Sequence, residues 1–350
     1  MARVFVGMSG GVDSSVAAAL LLEAGHEVTG ITMQLLPEGQ LLGECCGTDA
    51  VRSARRVCDT LGIPHYTWDF REIFEREVIT PFAQEYAAGR TPNPCARCND
   101  RVKFADLLAR SLAAGADMIA TGHYARIIRD ECATPWLASG VDGAKDQSYF
   151  LYSLTPQVLE HTLFPLGELA KSEVRQIAAR LELPSAERSE SQETCFAPAG
   201  EHVSVVATRC PEAVVPGEIV DANGAVLGMH RGLAYYTVGQ RKGLGIAAPE
   251  PLYVVGLDAD ANRVVVGGSD ALSASRVEAH TQLWRLGPGT HRVDAMTRYR
   301  MLRSSATAIS AGDTLIVEFD EPLSGVAPGQ SVVCYDGDLV VGGGTIKCAS

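Results

Sequence analysis

The feature that most constrains this chain is Ser9-Gly10-Gly11-Val12-Asp13-Ser14-Ser15, set between an apolar run at residues 3–8 and a helical pattern over 14–23. Two adjacent glycines at the end of a buried strand let the backbone turn tightly and aim its N–H groups at a phosphate. The hydroxyls of Ser9, Ser14 and Ser15 add donors, and the start of the following helix adds partial positive charge. No lysine follows the glycines, so the loop is not of the Walker type. Nor does it have the spaced glycines of a dinucleotide fingerprint. A carboxylate here, Asp13, suits a Mg²⁺ ion that bridges phosphate oxygens. The plain alternative is a Gly-Ser turn in which Asp13 caps the helix.

The surrounding pattern alternates. It predicts strands over 3–8, 27–33, 65–70 and 117–121, and helices over 14–23, 49–61, 71–88 and 101–114. Strands separated by helices imply a parallel sheet covered on both faces, and ligands then sit beyond the carboxyl ends of the strands. A further helix is expected over 171–180. Beyond Cys195 the texture changes to Gly, Val and Tyr, with a hairpin over 252–267 turning at Asp258-Ala259-Asp260-Ala261-Asn262. From residue 277 short β-like runs alternate with turns such as Pro328-Gly329 and Asp336-Gly337. The 350 residues allow several cores. The reading is an α/β domain over 1–200, a central β-rich domain over 201–272 and a C-terminal β-barrel over 273–350.

The start enters a strand pattern with no basic, apolar and cleavable segments of a secretory leader, and the apolar stretch over 16–22 is too short to span a bilayer. A cytoplasmic protein without a membrane partner is therefore expected, and a monomeric state is expected with it. Ten cysteines scattered through so long a chain read as reduced thiols, not a disulfide scaffold. The net charge of −12 argues against bulk affinity for nucleic acid. It leaves room for a local patch. Residues 284–303 hold Arg285, Arg292, Arg298, Arg300 and Arg303 against the single acid Asp294, a candidate face for an RNA backbone on which Tyr299 could stack.

A second cluster is Thr91-Pro92-Asn93-Pro94-Cys95-Ala96-Arg97-Cys98. Two prolines predict a rigid extended loop with a helix directly after it. A thiol at such a helix start, beside Arg97 and Arg101, is expected to have its thiolate favoured, which marks Cys98 as the nucleophile. Cys95, Cys98 and the distant Cys195 also form a three-thiol set. It could hold an iron–sulfur cluster with one open iron, or belong to a structural zinc site, for which the adjacent Cys45 and Cys46 are poorly spaced partners.

The blocks SGGVDSS (9–15), GRTPNPCARCN (89–99), TGHYAR (121–126), KDQSYFLY (145–152), SQETCF (191–196), YYTVGQRKGLG (235–245) and RYR (298–300) occur in order over essentially the whole chain. Together they resemble the tRNA-specific 2-thiouridylases, whose first block is the loop of the PP-loop ATP pyrophosphatases. The resemblance implies an adenine-nucleotide α-hydrolase-like α/β domain and ATP-dependent 2-thiolation of the wobble uridine of tRNA. ATP adenylates the 2-carbonyl oxygen, and a persulfide on Cys195 delivers sulfur. Cys98 then releases that sulfur as sulfide or forms a disulfide with Cys195. AMP and pyrophosphate leave. Gly7, Met8, Ser9, Gly10, Gly11, Val12, Asp13, Ser14 and Ser15, with Met33 and Gly122, would contact ATP and Mg²⁺. Asn93, Pro94 and Cys95 would line the target base, while His123, Lys145, Asp146, Gln147, Arg298, Tyr299 and Gln330 would face tRNA. A persulfide-donating sulfurtransferase or a cysteine desulfurase is the implied partner. The family pattern has Asp where this chain has Cys95, which keeps the cluster route open as an alternative to the persulfide. A PP-loop synthetase acting on a small molecule is the rival activity, though it would need neither paired cysteines nor basic β modules. A further rival is a non-catalytic RNA-binding protein that keeps only a relic of the loop, against which the intact SGGVDS sequence argues.

Overall fold

The computed structural model describes residues 1–37, 48–188, 194–197 and 201–350. Its contacts divide the chain into two compact units. The first comprises Met1–Val78, Cys95–Ala199 and Asp338–Val340, and the second Ile79–Pro94, Gly200–Gly337 and Val341–Ser350.

In the first unit, β1 (Arg3–Gly7), β2 (Glu27–Gln34), β3 (His65–Asp69), β4 (Met118–Ala120) and the short strand Thr162–Leu163 form a parallel sheet in the order β3-β2-β1-β4 and then Thr162–Leu163. The chain thus leaves β1 at the middle of the sheet, with β2 on one side and β4 on the other. Val4, Val6, Ile31, Ile119 and Ala120 are fully buried, as expected of strands covered on both faces. Helix α1 (Val12–Glu23) follows the loop, and its run Ala17-Ala18-Ala19 lets it lie close to the sheet. Helix α2 (Thr48–Leu61) packs Ala54, Val57 and Cys58 into the same core as Val4 and Val28. The antiparallel pair β5 (Ala125–Arg129) and β6 (Pro135–Ser139) was not anticipated. Its alternation is too short to stand out beside the helical segments around it. Counting it, Thr162–Leu163 is β7.

Two long helices depart from expectation. The segment over 71–88 is α3 (Arg71–Phe74), a π-helical turn (Glu75–Ile79) and α4 (Thr80–Ala87). The proline loop does not stay extended up to residue 100. Helix α5 (Pro94–Cys98) starts on the second proline, runs into a π-helical stretch (Asn99–Leu107) and continues as α6 (Leu108–Ala113). Proline fits a first helical position because its missing N–H would have no partner there and its φ is already helical. Cys95 and Cys98 are therefore helical residues. Helices α7 (Pro156–Glu160) and α8 (Lys171–Arg180) complete the unit. Val174 and Ala178 of α8 pack with Val12, Val16 and Tyr124.

In the second unit, β8 (Gly217–Val220), β9 (Val226–His230), β10 (Tyr253–Asp258) and β11 (Arg263–Gly267) form a four-stranded sheet around Ile219, Tyr236, Val254, Val264 and Val266. The β10–β11 hairpin lies where the sequence puts it, turning through Asn262 at φ +51°. Helix α9 (His202–Arg209) places His202 5.3 Å from the Tyr86 ring of α4. Strands β12 (Ser273–Trp284), β13 (Gly289–Met296), β14 (Ser304–Ala311), β15 (Thr314–Ser324), β16 (Ser331–Asp336) and β17 (Leu339–Ala349) follow in the order β12-β15-β14-β13-β16-β17. Pairing of β12 with β17 closes the barrel. Alternate residues such as Val277 and Ala279, Ala306 and Ala308, and Leu315 and Val317 fill its interior. The start of β17 counts with the first unit, where Leu339 pairs with Ala138 and Asp338 accepts from Arg126 at 2.6 Å.

Gly329 takes φ +90°, and a Cβ there would meet the Thr91 carbonyl oxygen at 2.9 Å. Gly329→Val is expected to destabilise the protein by about 1–3 kcal/mol, read as a lower urea-unfolding midpoint. An unchanged midpoint would mean that the Thr91 segment moves aside at no cost.

Candidate functional site

The phosphate loop leaves β1 at Gly7 and ends in the first turn of α1. Met8 is 2% exposed and its side chain belongs to the core, while its N–H donates to Ile31 O of β2 at 2.8 Å. Gly10 sits at φ +75°, and a Cβ there would fall 2.5 Å from Ala50 O, so glycine is required. Its carbonyl accepts from Ser53 Oγ at 2.8 Å and from Arg188 Nη1 at 3.3 Å. Ser14 Oγ accepts from the Ser9 N–H and lies 3.2 Å from Ser9 Oγ, while the Ser15 hydroxyl donates to Gly11 O at 2.8 Å. Gly122, just beyond β4, closes the cradle from behind. A Cβ there would stand 2.7 Å from both the Asp13 carbonyl carbon and the Ser14 nitrogen. Met33 is half-buried near the carboxyl end of β2.

Asp13 is engaged. Its Oδ1 accepts from Tyr124 Oη at 2.7 Å and from Lys171 Nζ at 2.6 Å. The Lys171 side chain is 10% exposed and that of Asp13 32%. Sequence reading missed both partners. Neither lies in the loop, and Lys171 looked like an ordinary first-turn residue of a predicted helix. The signal was indirect: a phosphate loop without a lysine needs a cation from elsewhere. These groups suit a triphosphate with Mg²⁺, since a hard carboxylate oxygen, a row of hydroxyls and a bare glycine backbone form the cradle. Asp13 is the residue that would hold the ion.

Of the residues read as facing tRNA, several in this unit serve local structure. His123 is buried between the rings of Phe104 and Phe164, with Nδ1 2.7 Å from Thr121 Oγ1. Burial, and then the charge of Lys103, holds its pKa well below the usual histidine value, so the ring is neutral. Asp146 caps its own loop, accepting from the N–H groups of Gly140 and Ser148, and Gln147 Oε1 accepts from the Tyr124 N–H. The backbone N–H of Lys145 donates to Asp142 O.

Cys98 reverses the expected electrostatics. It is buried, and desolvation pushes its thiol up to about 12, with the charges of Cys195 and Cys95 adding to the rise. Arg97 is drawn to Glu77, whose carbonyl and carboxylate it contacts, and Arg101 pairs with Asp100 at 2.9 Å. Among the described residues it is Lys103 that opposes the rise. Cys195, half-buried, lies in a tight turn where Ala197 N donates to Thr194 O at 3.1 Å, and Phe196 anchors this turn against Phe74. Cys95 is exposed. The structure therefore brings Cys98 and Cys195, 97 positions apart in sequence, into one electrostatic neighbourhood. Among the described residues no three His, Cys, Asp or Glu side chains are grouped to hold a metal. Cys45, Cys46, Ser191, Gln192 and Glu193 lie outside those residues.

The second unit gathers another part of the set. Gln330 Nε2 donates to Thr91 O at 2.9 Å and to Pro92 O at 3.1 Å, and Asn93 Nδ2 donates to Ser331 Oγ at 3.3 Å. Pro94 follows as the first residue of α5. The arginine patch is smaller than its sequence count. Asp320, outside the counted stretch, binds Arg292 through both terminal nitrogens, and Arg303 stacks on Tyr335 at 3.7 Å and donates to Gly337 O. Arg298 and Arg300 are exposed, with Arg300 5.5 Å from the half-buried Tyr299 ring. Among the described residues no helix is long and apolar enough to cross a membrane.

Three family descriptions match consecutive parts of the chain: the tRNA methyl transferase HUP domain over residues 2–199, the tRNA methyl transferase PRC-barrel domain over 204–268 and the aminomethyltransferase beta-barrel domain over 269–346. The chain is 52% identical over 351 residues to the tRNA-specific 2-thiouridylase MnmA of Moorella thermoacetica, covering 98% of each chain. It is 49% identical over 357 residues to the protein of that name from Geobacter metallireducens, covering 99% of this chain and 97% of the relative.

With the Cys98 thiol protonated at neutral pH, iodoacetamide at pH 8 is expected to label the exposed Cys95, Cys132 and Cys348 well ahead of Cys98. The Cys98 rate should keep climbing as the pH rises toward 12. Peptide mapping by mass spectrometry reads the order, and early labelling of Cys98 at pH 7 would contradict it.

Proposed function

The chain belongs to the tRNA-specific 2-thiouridylase family, and from that premise we propose that it is the ATP-dependent sulfurtransferase that converts the wobble uridine of tRNA to 2-thiouridine. The observation that carries the mechanism is that the unit holding the glycine-backed phosphate loop also brings Cys195 within electrostatic reach of Cys98.

In this reading residues 7–15, with Met33 and Gly122, seat ATP. Asp13 holds Mg²⁺, which neutralises phosphate charge when bound. The uridine O2 attacks the α-phosphorus, pyrophosphate leaves, and C2 now carries AMP as its leaving group. The terminal sulfur of a Cys195 persulfide attacks C2, and AMP departs. The Cys98 sulfur, after losing its proton, attacks Cys195 Sγ and breaks the persulfide S–S bond. The 2-thiocarbonyl is freed, and a Cys98–Cys195 disulfide remains for a thiol reductant to open. A persulfide-donating sulfurtransferase or cysteine desulfurase reloads Cys195. Burial of Cys98 suits this order, because a protonated thiol does not consume the persulfide before the base is seated.

Asn93, Pro94 and Cys95 line the base, and Arg298, Tyr299 and Gln330 bind the tRNA from the second unit. Within the second unit, the tie between Gln330 and the Thr91–Pro92 backbone supports treating Gln330, Asn93 and Pro94 as one surface. His123 and the block Lys145-Asp146-Gln147 act by shaping the loops behind the base. The division into domains at 1–200, 201–272 and 273–350, the monomeric state and the cytoplasmic location belong to the same reading.

Cys98→Ser and Cys195→Ser are each expected to abolish thiolation of a tRNA transcript while ATP binding stays within about twofold of the parent. Full thiolation by either would end the two-cysteine scheme. Neutralising Arg298 and Arg300 together should weaken tRNA binding and lower the slope of log K against log salt by about 2, roughly one per phosphate contact. An unaltered slope would put the RNA face elsewhere.

A further inference from the structure

Lys171 is fixed at its root. It is the first residue of α8, its backbone N–H donates to Asp142 Oδ2 at 2.9 Å, and the preceding Ala170 N–H is capped by Glu173 at 2.7 Å. From there the side chain passes the Tyr124 ring, with Nζ 5.6 Å from its centroid, and ends 2.6 Å from Asp13 Oδ1. The same oxygen takes the Tyr124 hydroxyl at 2.7 Å. A carboxylate oxygen offers two lone pairs. Both are used, so a cation binding through Oδ1 must displace one of these donors, and the ammonium repels that cation.

We propose that Lys171 is an internal counter-ion that neutralises the Asp13 carboxylate until a triphosphate draws it away, so that the divalent metal enters only together with the nucleotide. The inference rests on reading the loop as an ATP site and adds a rule for the order in which the site fills. An ammonium that is 10% exposed cannot leave its carboxylate for nothing, because an unpaired buried charge is costly. A metal ion arriving alone strands Lys171. Phosphate oxygens arriving with the metal give Lys171 a new anion and release Asp13 to the ion. Lysine suits this exchange, since its charge sits on a flexible four-carbon stem and can swing between partners on one face of the loop. Metal and phosphate thereby favour each other's binding, and by linkage the coupling is the same in both directions.

The test measures binding, not turnover. Mn²⁺ affinity is read from the free-ion electron paramagnetic resonance signal, with and without ATP, and ATP affinity by calorimetry, with and without Mn²⁺. Wild type is expected to bind Mn²⁺ poorly alone and well with ATP. Lys171→Met should bind Mn²⁺ alone about tenfold more tightly and ATP about tenfold more weakly, with the coupling between them reduced toward unity. Lys171→Gln should behave in the same way and serves if the methionine variant does not fold. Lys171→Arg should keep the coupling. If the neutral variants bind ATP but take up Mn²⁺ no better than wild type, the counter-ion role is wrong. If wild type binds no ATP with or without Mn²⁺, the nucleotide reading of the loop fails instead.

Discussion

The backbone of Gly122 presses against the backbone of Asp13 and Ser14, and the rest of the first unit is arranged around that contact. With no side chain at Gly122, the ends of β1 and β4 close on each other. The same approach brings Tyr124, two residues further on, to the Asp13 carboxylate. Tyr124 also joins the apolar cluster that α1 and α8 share, so the packing that seats α8 points Lys171 at the loop. Sheet register, helix packing and one ion pair thus converge on a single carboxylate oxygen.

The two chemical centres of this unit use burial in opposite ways. At the phosphate loop, burial forces a cation and an anion to keep each other company. At the thiols it withholds charge, since Cys98 sits where an anion is poorly solvated and the neighbouring arginines are spent on Glu77 and Asp100. On a protein of net charge −12, the exposed Arg298 and Arg300 give the C-terminal barrel a local positive charge.

Most of the parallel sheet could be read from the sequence because short strand-like runs alternate with helical segments, and the loop after β1 was legible from two glycines and a carboxylate. The β10–β11 hairpin was legible because its turn residues fall between two valine-rich runs. Several of the readings that failed depended on partners remote in sequence, although Asp100 is the immediate neighbour of Arg101. Arg97 and Arg101 looked like thiolate stabilisers until Glu77 and Asp100 were found beside them. Asp320 cancelled Arg292 in the same way. Lys171 and Tyr124, 158 and 111 positions from Asp13, carry no local mark of their task. The start of α5 was misplaced because a proline that forbids a helix interior also favours its first turn.

The π-helical stretch Asn99–Leu107 separates Cys98 from the helix α6 that closes the segment. Such wide turns carry residues beyond those an ordinary helix of the same height would need. Each residue added to or removed from an α-helix rotates the residues on its N-terminal side by about 100° relative to those on its C-terminal side. A one-codon gain or loss between Cys98 and Leu108 would therefore turn the thiol to another side of the helix while leaving every neighbouring side chain chemically intact. Spacing in this stretch is under the same constraint as residue identity, and the length of the gene here is itself part of the site.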